Sequence, residues 1–205
     1  MGLRQSVSEI MIDNPEPREN KSDEELVKLS LADRDNFALV INRYKTKLYN
    51  YIRRITNIDS EEAEDILQEV FIKTYLNLNE FDADLKFSSW IYRIAHNEVI
   101  SHYRKTKARP QGYAVKLEDN ALNNLASDLD IADETDRIIL KSNIQKILGK
   151  IDKKYREVLI LKFLEEKSYS EISDIIKRPM GTVASLINKA KQELKKELKS
   201  QNFKL

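Results

Sequence analysis

Residues 168–194 read SYSEISDIIKRPMGTVASLINKAKQEL, and this stretch decides the fold of the C-terminal half of the chain. Ser168 with Glu171 three positions later predicts a capped helix start, and Pro179 with Gly181 marks a turn soon after that short helix. A second helix follows, with apolar residues recurring on one face at Val183, Ile187, Ala190, Leu194 and Leu198. Two short helices joined by a tight turn are typical of a helix-turn-helix, whose second helix enters the major groove of DNA.

The opposite face of that second helix is polar, and its side chains can donate to phosphates or base edges: Thr182, Ser185, Asn188, Lys189, Gln192 and Lys196. Arg178 lies just before the helix, whose N-terminal amides can face a phosphate. Residues 146–205 carry fifteen basic and eight acidic side chains, which favours a nucleic-acid partner. An ordinary helical hairpin with a solvated, lysine-rich surface explains the same pattern and stays open at this point.

The composition favours a helical protein without thiol chemistry. A chain of 205 residues suffices for one medium domain or two small ones, and 41% apolar residues suffice for a core. Four Gly and four Pro are few for a strand-rich protein, which needs many turns. The absence of Cys excludes disulfides, thiolate nucleophiles and Cys-based zinc sites. Neither a signal peptide nor a membrane span is recognisable in the sequence, so a soluble cytoplasmic protein is expected.

The expected fold is all-α, with two small helical domains joined by an acidic flexible linker. We predict a disordered tail at 1–21, a four-helix domain at 22–107, a linker at 108–136 and a helix-turn-helix domain at 137–205. Residues 111–136 support the linker because they carry one basic and seven acidic side chains and are weakly periodic. The predicted helices span about 23–31, 37–56, 60–78, 88–107, 137–148, 152–164, 168–176 and 181–198.

The third predicted helix carries a mixed face. Asp65, Gln68 and Glu69 lie on a different side from its core-facing residues, together with Ile72 and Leu76. Acids beside apolar side chains suit a protein partner whose surface is basic and partly apolar. A helix buried on two sides gives the same pattern, so both interpretations stay open.

The fourth predicted helix interleaves basic groups, aromatic rings and an amide, as surfaces for single-stranded DNA do. The candidate residues are Trp90, Tyr92, Arg93, His96, Asn97 and Arg104. Core packing of Trp90 is the alternative interpretation of that residue. His96 and His102 are six positions apart, which argues against two metal ligands on one helical face.

Three segments resemble bacterial RNA polymerase sigma factors of the extracytoplasmic-function type. IDKKYREVLILKFLEEKSYSEISDIIKRPMGTVASLINKAKQEL, at 151–194, is similar to the family's C-terminal domain, which reads the −35 promoter element. AEDILQEVFIKTY, at 63–75, resembles its polymerase-binding helix, and FSSWIYRIAHNEVISHYRK, at 87–105, resembles its −10 recognition helix. The order of these segments and the short linker match the extracytoplasmic-function group.

The resemblance implies a binding protein that docks on core RNA polymerase, directs it to promoters and traps the melted strand. It implies no catalytic residue, cofactor or metal, no membrane insertion, and an anti-sigma factor as a candidate partner. The polymerase contacts would be Asp65, Gln68, Glu69 and Ile72. The −10 contacts would be Trp90, Tyr92, Arg93, His96, Asn97 and Arg104, with the loop at 79–87 capturing an unpaired base. The −35 contacts would be Arg178, Thr182, Ala184, Ser185, Leu186, Asn188 and Lys189.

Ala184 and Leu186 stand where basic residues are usual in that family, which implies an altered −35 preference. Two other functions remain as alternatives. A helix-turn-helix regulator could bind duplex DNA alone, although it would need no strand-trapping surface. An all-helical enzyme is the other alternative, but the sequence contains neither a Gly-rich phosphate loop nor a Ser-His constellation that would support it.

Overall fold

The computed structural model describes residues 21–56, 58–106, 125, 127, 144 and 146–202. Within these residues the chain is helical and contains no strand, as the sequence predicts. The helices are α1 (Asp23–Ala32), α2 (Phe37–Thr56), α3 (Ser60–Leu76), α4 (Phe87–Thr106), α5 (Lys153–Leu159), α6 (Tyr169–Ile176) and α7 (Met180–Asn202). A π-helical segment, Ile160–Leu164, continues α5, and 3-10 turns occupy Arg34–Asn36 and Leu78–Glu80. None of the helices in this part of the chain has the length and apolar character needed to cross a membrane.

The predicted tail at 1–21, the linker at 108–136 and the helix at 137–148 lie largely outside the described residues. The boundaries of the two domains therefore stay a prediction.

Side-chain caps fix the starts of helices, among them α1, α3 and α6. The Ser22 hydroxyl accepts from the Glu25 amide at 3.2 Å, and the Ser22 amide donates back to the Glu25 carboxylate at 2.6 Å. Ser168 and Glu171 form the same reciprocal pair, while Asp59 accepts from the Glu62 amide at 2.9 Å. Each cap satisfies backbone donors that have no partner inside the helix. The helix starts predicted at these positions are confirmed.

Two of the predicted helix ends are wrong by a few residues. The structure ends α3 at Leu76 rather than Leu78, because the Asn77 side chain donates to the Lys73 carbonyl at 2.8 Å and closes the last turn. The last helix extends past the predicted end at Leu198 to Asn202.

The first domain packs α2, α3 and α4 around a shared apolar core. Each fully buried aliphatic or aromatic side chain contributes roughly 1.5–3 kcal/mol. The buried residues of this core include Val40, Leu48, Tyr51, Ile52, Ile66, Val70, Ile91, Ala95 and Val99. Helix α1 is tied to α2 by Asp23, which accepts from Arg43 at 2.9 Å and from the Tyr44 hydroxyl at 2.5 Å.

The second domain packs α5, its π-helical continuation, α6 and α7 together, and its buried residues form one apolar cluster with those of the first domain. Its fully buried residues include Ile160, Leu161, Ile172, Ile175, Val183, Ile187, Ala190 and Leu194. The buried Arg156 guanidinium donates to the Gly149 carbonyl at 3.0 Å and to the Ile151 carbonyl at 3.3 Å. These bonds satisfy carbonyls at the end of the helical residues 146–150, and burial lowers the pKa of Arg156.

Candidate nucleic-acid and protein interfaces

The turn between α6 and α7 gives the second domain a helix-turn-helix, as predicted from its sequence. Lys177 ends α6 in the left-handed conformation, with φ 52° and ψ 52°. The Ser173 hydroxyl donates to the Arg178 carbonyl at 2.6 Å, and the Thr182 amide donates to the Pro179 carbonyl at 2.8 Å. These bonds hold the turn in one conformation and position the start of α7.

The polar face of α7 is open to solvent. Arg178, Thr182, Ser185, Asn188 and Lys189 are exposed, whereas Ala184 and Leu186 are half-buried. The Ser185 hydroxyl donates to the Gly181 carbonyl at 2.9 Å, so its oxygen is left as an acceptor. The five exposed positions lie where a helix in the major groove would meet phosphates and base edges.

The mixed face of α3 is exposed, and the interpretation of a helix buried on two sides is wrong. Asp65, Gln68 and Glu69 are exposed, while 51% of Ile72 and 67% of Leu76 are accessible. The other side of α3 is buried at Ile66, Val70 and Thr74. Exposed large apolar side chains beside acids are typical of a protein-binding surface. We call the residues Asp65, Gln68, Glu69, Ile72 and Leu76 the α3 face.

The candidate residues of α4 lie in three different environments. Asn97 and Arg104 are exposed and Arg93 is half-buried. Trp90 is 8% exposed and packs against Phe81 and Phe87, with ring centroids 5.4 Å and 5.7 Å away. Trp90 therefore packs in the core, as the alternative interpretation of this residue predicted. The remaining two candidates, Tyr92 and His96, lie at the contact between the two domains.

Two acids of the second domain reach into the first domain at that contact. Glu165 accepts from Arg54 at 2.8 Å and from the Tyr92 hydroxyl at 2.5 Å. Glu157 accepts from the Tyr51 hydroxyl at 2.8 Å and lies 2.5 Å from Nδ1 of His96. We call these two acids and their four partners the interdomain cluster.

Burial dominates the electrostatics of the interdomain cluster. The side chains of Arg54 and Glu165 are only 9% and 6% exposed. Burial raises the pKa of Glu165 above its ordinary range, although the bonds from Tyr92 and Arg54 oppose the shift. Burial and the nearby carboxylates raise the pKa of Tyr51 and of Tyr92 well above 10, so both phenols stay protonated and donate.

The domains also enclose a partly apolar groove of about 300 Å³ beside the cluster. His96 and Ile100 of α4 line one side, and Ile176, Thr182 and Leu186 line the other. The groove thus joins the candidate strand-binding helix to the start of the candidate duplex-reading helix.

Sequence reasoning missed Tyr51, Arg54, Glu157 and Glu165 as functional candidates. Local sequence patterns could not indicate these four residues, because each of their hydrogen bonds joins residues of different domains. Among the residues that the structure describes, no group of three or more His, Asp or Glu side chains is placed to hold a metal ion.

Comparisons with known proteins agree on one family. The family model for sigma-70 region 2 matches residues 40–109, and the model for sigma-70 region 4 matches residues 141–194. The chain is 36% identical over 177 residues to the ECF RNA polymerase sigma factor SigW of Bacillus subtilis, a match that covers 82% of this chain and 91% of that protein.

Two solved structures share the fold. One is CnrH in complex with the cytosolic domain of CnrY, with a TM-score of 0.65, 22% identity, and coverage of 88% of this chain and 99% of that one. The other is the sigma factor RpoE in complex with the anti-sigma factor NepR from Bartonella quintana, with a TM-score of 0.60, 19% identity, and coverage of 80% and 97%.

Proposed function

This chain belongs to the extracytoplasmic-function sigma factors, and from that premise we propose how its surfaces divide the work of starting transcription. As a promoter-specific sigma factor it binds core RNA polymerase, directs the enzyme to promoters and helps to open promoter DNA. The chain supplies binding surfaces and is not an enzyme, because polymerase carries out the phosphoryl transfer. It acts in the cytoplasm, where polymerase and promoter DNA meet.

The helix-turn-helix with its exposed polar face carries the duplex-binding part of the proposal. Helix α7 lies in the major groove of the −35 element, with Arg178 and Lys189 on phosphates. Ser185 and Asn188 face base edges, and Thr182 lies at the helix start, where backbone amides attract a phosphate. The half-buried Ala184 and Leu186 bring few polar contacts, so base preference rests mainly on Ser185 and Asn188.

The α3 face docks on core polymerase. Its acids repel DNA phosphates, which makes a basic protein surface the better partner. Ile72 and Leu76 supply apolar area that docking would remove from water.

Helix α4 holds the melted −10 strand. Arg93 and Arg104 follow the strand backbone and the Asn97 amide meets a base edge, while the loop at 79–87 captures an unpaired base. Tyr92 and His96 belong to the same helix, but in this structure they contact Glu165 and Glu157 of the second domain. Trp90 supports this surface from within the core of the first domain.

A second protein partner follows from the groove between the domains. Two solved structures of this fold hold a second polypeptide, and in one of them it is the anti-sigma factor NepR. We extend that partner class to this chain, because an apolar segment bound in the groove beside Ile100 and Leu186 would cover both DNA-binding helices.

Reconstituted transcription tests the function directly. Purified chain is added to core RNA polymerase with a genomic promoter library, and run-off transcripts are sequenced. We expect transcripts that start downstream of a shared pair of sequence elements only when both proteins are present. Tight duplex binding by the chain alone, without polymerase association or transcripts, would contradict the proposal and favour a stand-alone regulator.

A further inference from the structure

A cavity of about 450 Å³ lies where α1, α2 and the start of α4 meet the segment before α6. Each residue that lines it carries a polar or charged group, and four of these residues are basic: Lys21, Arg43, Lys47 and Lys167. The volume falls within the roughly 300–1,000 Å³ of small-molecule sites, but most such sites are lined by apolar side chains. The polar lining of this cavity instead suits a small ligand that is itself charged.

Asp23, the one acid among the described residues that line the cavity, is already paired. Its two carboxylate oxygens accept from Arg43 at 2.9 Å and from the Tyr44 hydroxyl at 2.5 Å. Asp23 therefore balances the charge of Arg43. In the part of the chain that the structure describes, none of the three lysines of the cavity forms an ion pair with a carboxylate. Their positive charges remain available to an anion.

Lys167 is held at the wall of the cavity. Its ammonium donates to the Ser88 hydroxyl at 3.3 Å and lies 4.4 Å from the centre of the Tyr92 ring. The Ser88 hydroxyl accepts in this contact, so its own hydrogen can be donated to a ligand oxygen. Burial lowers the pKa of Lys167, nearby carboxylates oppose the shift, and the charge of Lys47 adds to it. Lys47 and Lys167 therefore repel each other, and an anion bound between them would offset that repulsion.

We propose that this cavity binds a small anion with two or more adjoining phosphoryl groups, such as pyrophosphate or the phosphates of a nucleoside polyphosphate. Lysine ammonium groups are compact charges with three donors each, and they bind phosphate oxygens. One phosphate monoester carries only about two negative charges at pH 7, so adjoining phosphoryl groups match the charge of three lysines better. Lys21 and Lys47 reach the anion from the first domain, and Lys167 reaches it from the second. The site does not depend on the promoter-binding surfaces.

Isothermal titration calorimetry of the full chain with sodium pyrophosphate, in buffer without divalent cations, measures this binding. The wild type should bind one pyrophosphate per chain in about 0.15 M salt, where exposed charges more than a Debye length apart are largely screened. Lys47→Ala and Lys167→Met each remove one cation from the cavity. Loss of a charge-assisted hydrogen bond should lower the affinity by about ten- to 100-fold in each variant.

Each variant has a matched control. Lys45→Ala removes an exposed lysine from the same helix, α2, as Lys47→Ala does. Lys162→Met removes a half-buried lysine that also lies over a ring, 5.3 Å from the centre of Tyr169. Neither control residue lines the cavity, so both controls should bind pyrophosphate as the wild type does.

Thermal unfolding supplies a second readout and a check on folding. Pyrophosphate should raise the unfolding midpoint of the wild type and of both controls by more than that of Lys47→Ala, because a ligand stabilises the folded chain according to its affinity. Lys47 is exposed, so Lys47→Ala should melt as the wild type does when no ligand is present. This variant keeps the test decisive if Lys167→Met does not fold.

Two further ligands identify the source of the phosphates. ADP that binds as tightly as pyrophosphate would support a nucleotide ligand, and weaker binding of ADP would support free pyrophosphate. Single-stranded dT20 should not displace pyrophosphate, because each of its phosphodiesters carries a single charge. Displacement by dT20 at lower concentration than ADP would overturn the proposal and assign the lysines to a DNA strand. Failure of pyrophosphate to saturate the wild type, or an equal loss of affinity in a variant and its matched control, would also overturn it.

Discussion

Reversing the charge of the α3 face should abolish polymerase binding while leaving the fold intact. The variant carries Asp65→Lys and Glu69→Lys, two exposed positions one helical turn apart. Acids on this face would pair with basic groups of polymerase, and lysines would instead meet like charges. Such a juxtaposition costs several kcal/mol, and each ~1.4 kcal/mol lowers affinity about tenfold. We therefore expect affinity for core polymerase to fall by at least about 100-fold.

The cost to folding can be worked out from the helix itself. Positions 61, 65, 69 and 73 follow one another at intervals of four, with Glu61 and Lys73 at the ends. The wild type has two like-charge neighbours and one opposite pair along this row, and so does the variant. Each such pair changes stability by about 0.2–0.5 kcal/mol, so the changes cancel. The variant should unfold within about 0.5 kcal/mol of the wild type.

Binding to core polymerase and thermal unfolding are measured on the same protein samples. A control with Glu80→Lys and Glu166→Lys reverses two exposed charges away from α3 and should bind as the wild type does. A folded Asp65→Lys, Glu69→Lys variant that still bound polymerase and initiated transcription would refute the docking surface. Equal loss of binding in the control would show that net charge, and not the α3 face, governs association.

Three further changes test other parts of the molecule. Lys189→Ala should weaken duplex binding and reduce the slope of log affinity against log salt concentration by about 0.9. An unchanged slope would show that Lys189 does not contact a phosphate. Leu194→Ala, at a fully buried position of α7, should lower the free energy of unfolding by about 2–5 kcal/mol, and a loss well below 1 kcal/mol in denaturant titration would contradict its core position. Burial and the bond to Asp23 raise the pKa of Tyr44 above its ordinary value of 10.0, so the folded state loses stability as pH rises above about 10. Tyr44→Phe should make that loss less steep in melting curves recorded between about pH 9 and 11, although Tyr51 and Tyr92 still contribute to it, and an equally steep loss would exclude Tyr44 as a source.

The helices and their faces could be predicted because the signals are local. The capping boxes of Ser22 and Ser168 involve residues three positions apart, and the apolar periodicity of α7 repeats within each turn. The same local rules placed Asp65 and Glu69 away from the core. Whether Ile72 was buried or exposed depended on whether a second element covered that side of α3, which periodicity does not encode.

The interdomain cluster could not be predicted, because its partners are distant in sequence. Arg54 and Glu165 are 111 positions apart, and His96 and Glu157 are 61 positions apart. Arg54, His96 and Glu157, each taken alone, fit ordinary positions on an amphipathic helix, and Glu165 fits an ordinary polar residue after a helix end. The burial of Arg156 could not be predicted for a related reason. Its acceptors are backbone carbonyls that have no partner within the preceding helix, because that helix ends there.

The closed arrangement implies an order for the binding steps. Ser185, Asn188 and Lys189 on α7 and the whole α3 face are exposed while the domains are in contact. Tyr92 and His96 are covered in the same state by Glu165 and Glu157. Under the proposed function, polymerase docking leaves the contact between the domains in place, whereas strand contacts by Tyr92 and His96 would require the domains to separate. A partner that binds the closed and the open state equally well does not change their populations. Polymerase and duplex DNA therefore favour separation of the domains only if they bind the open state more tightly.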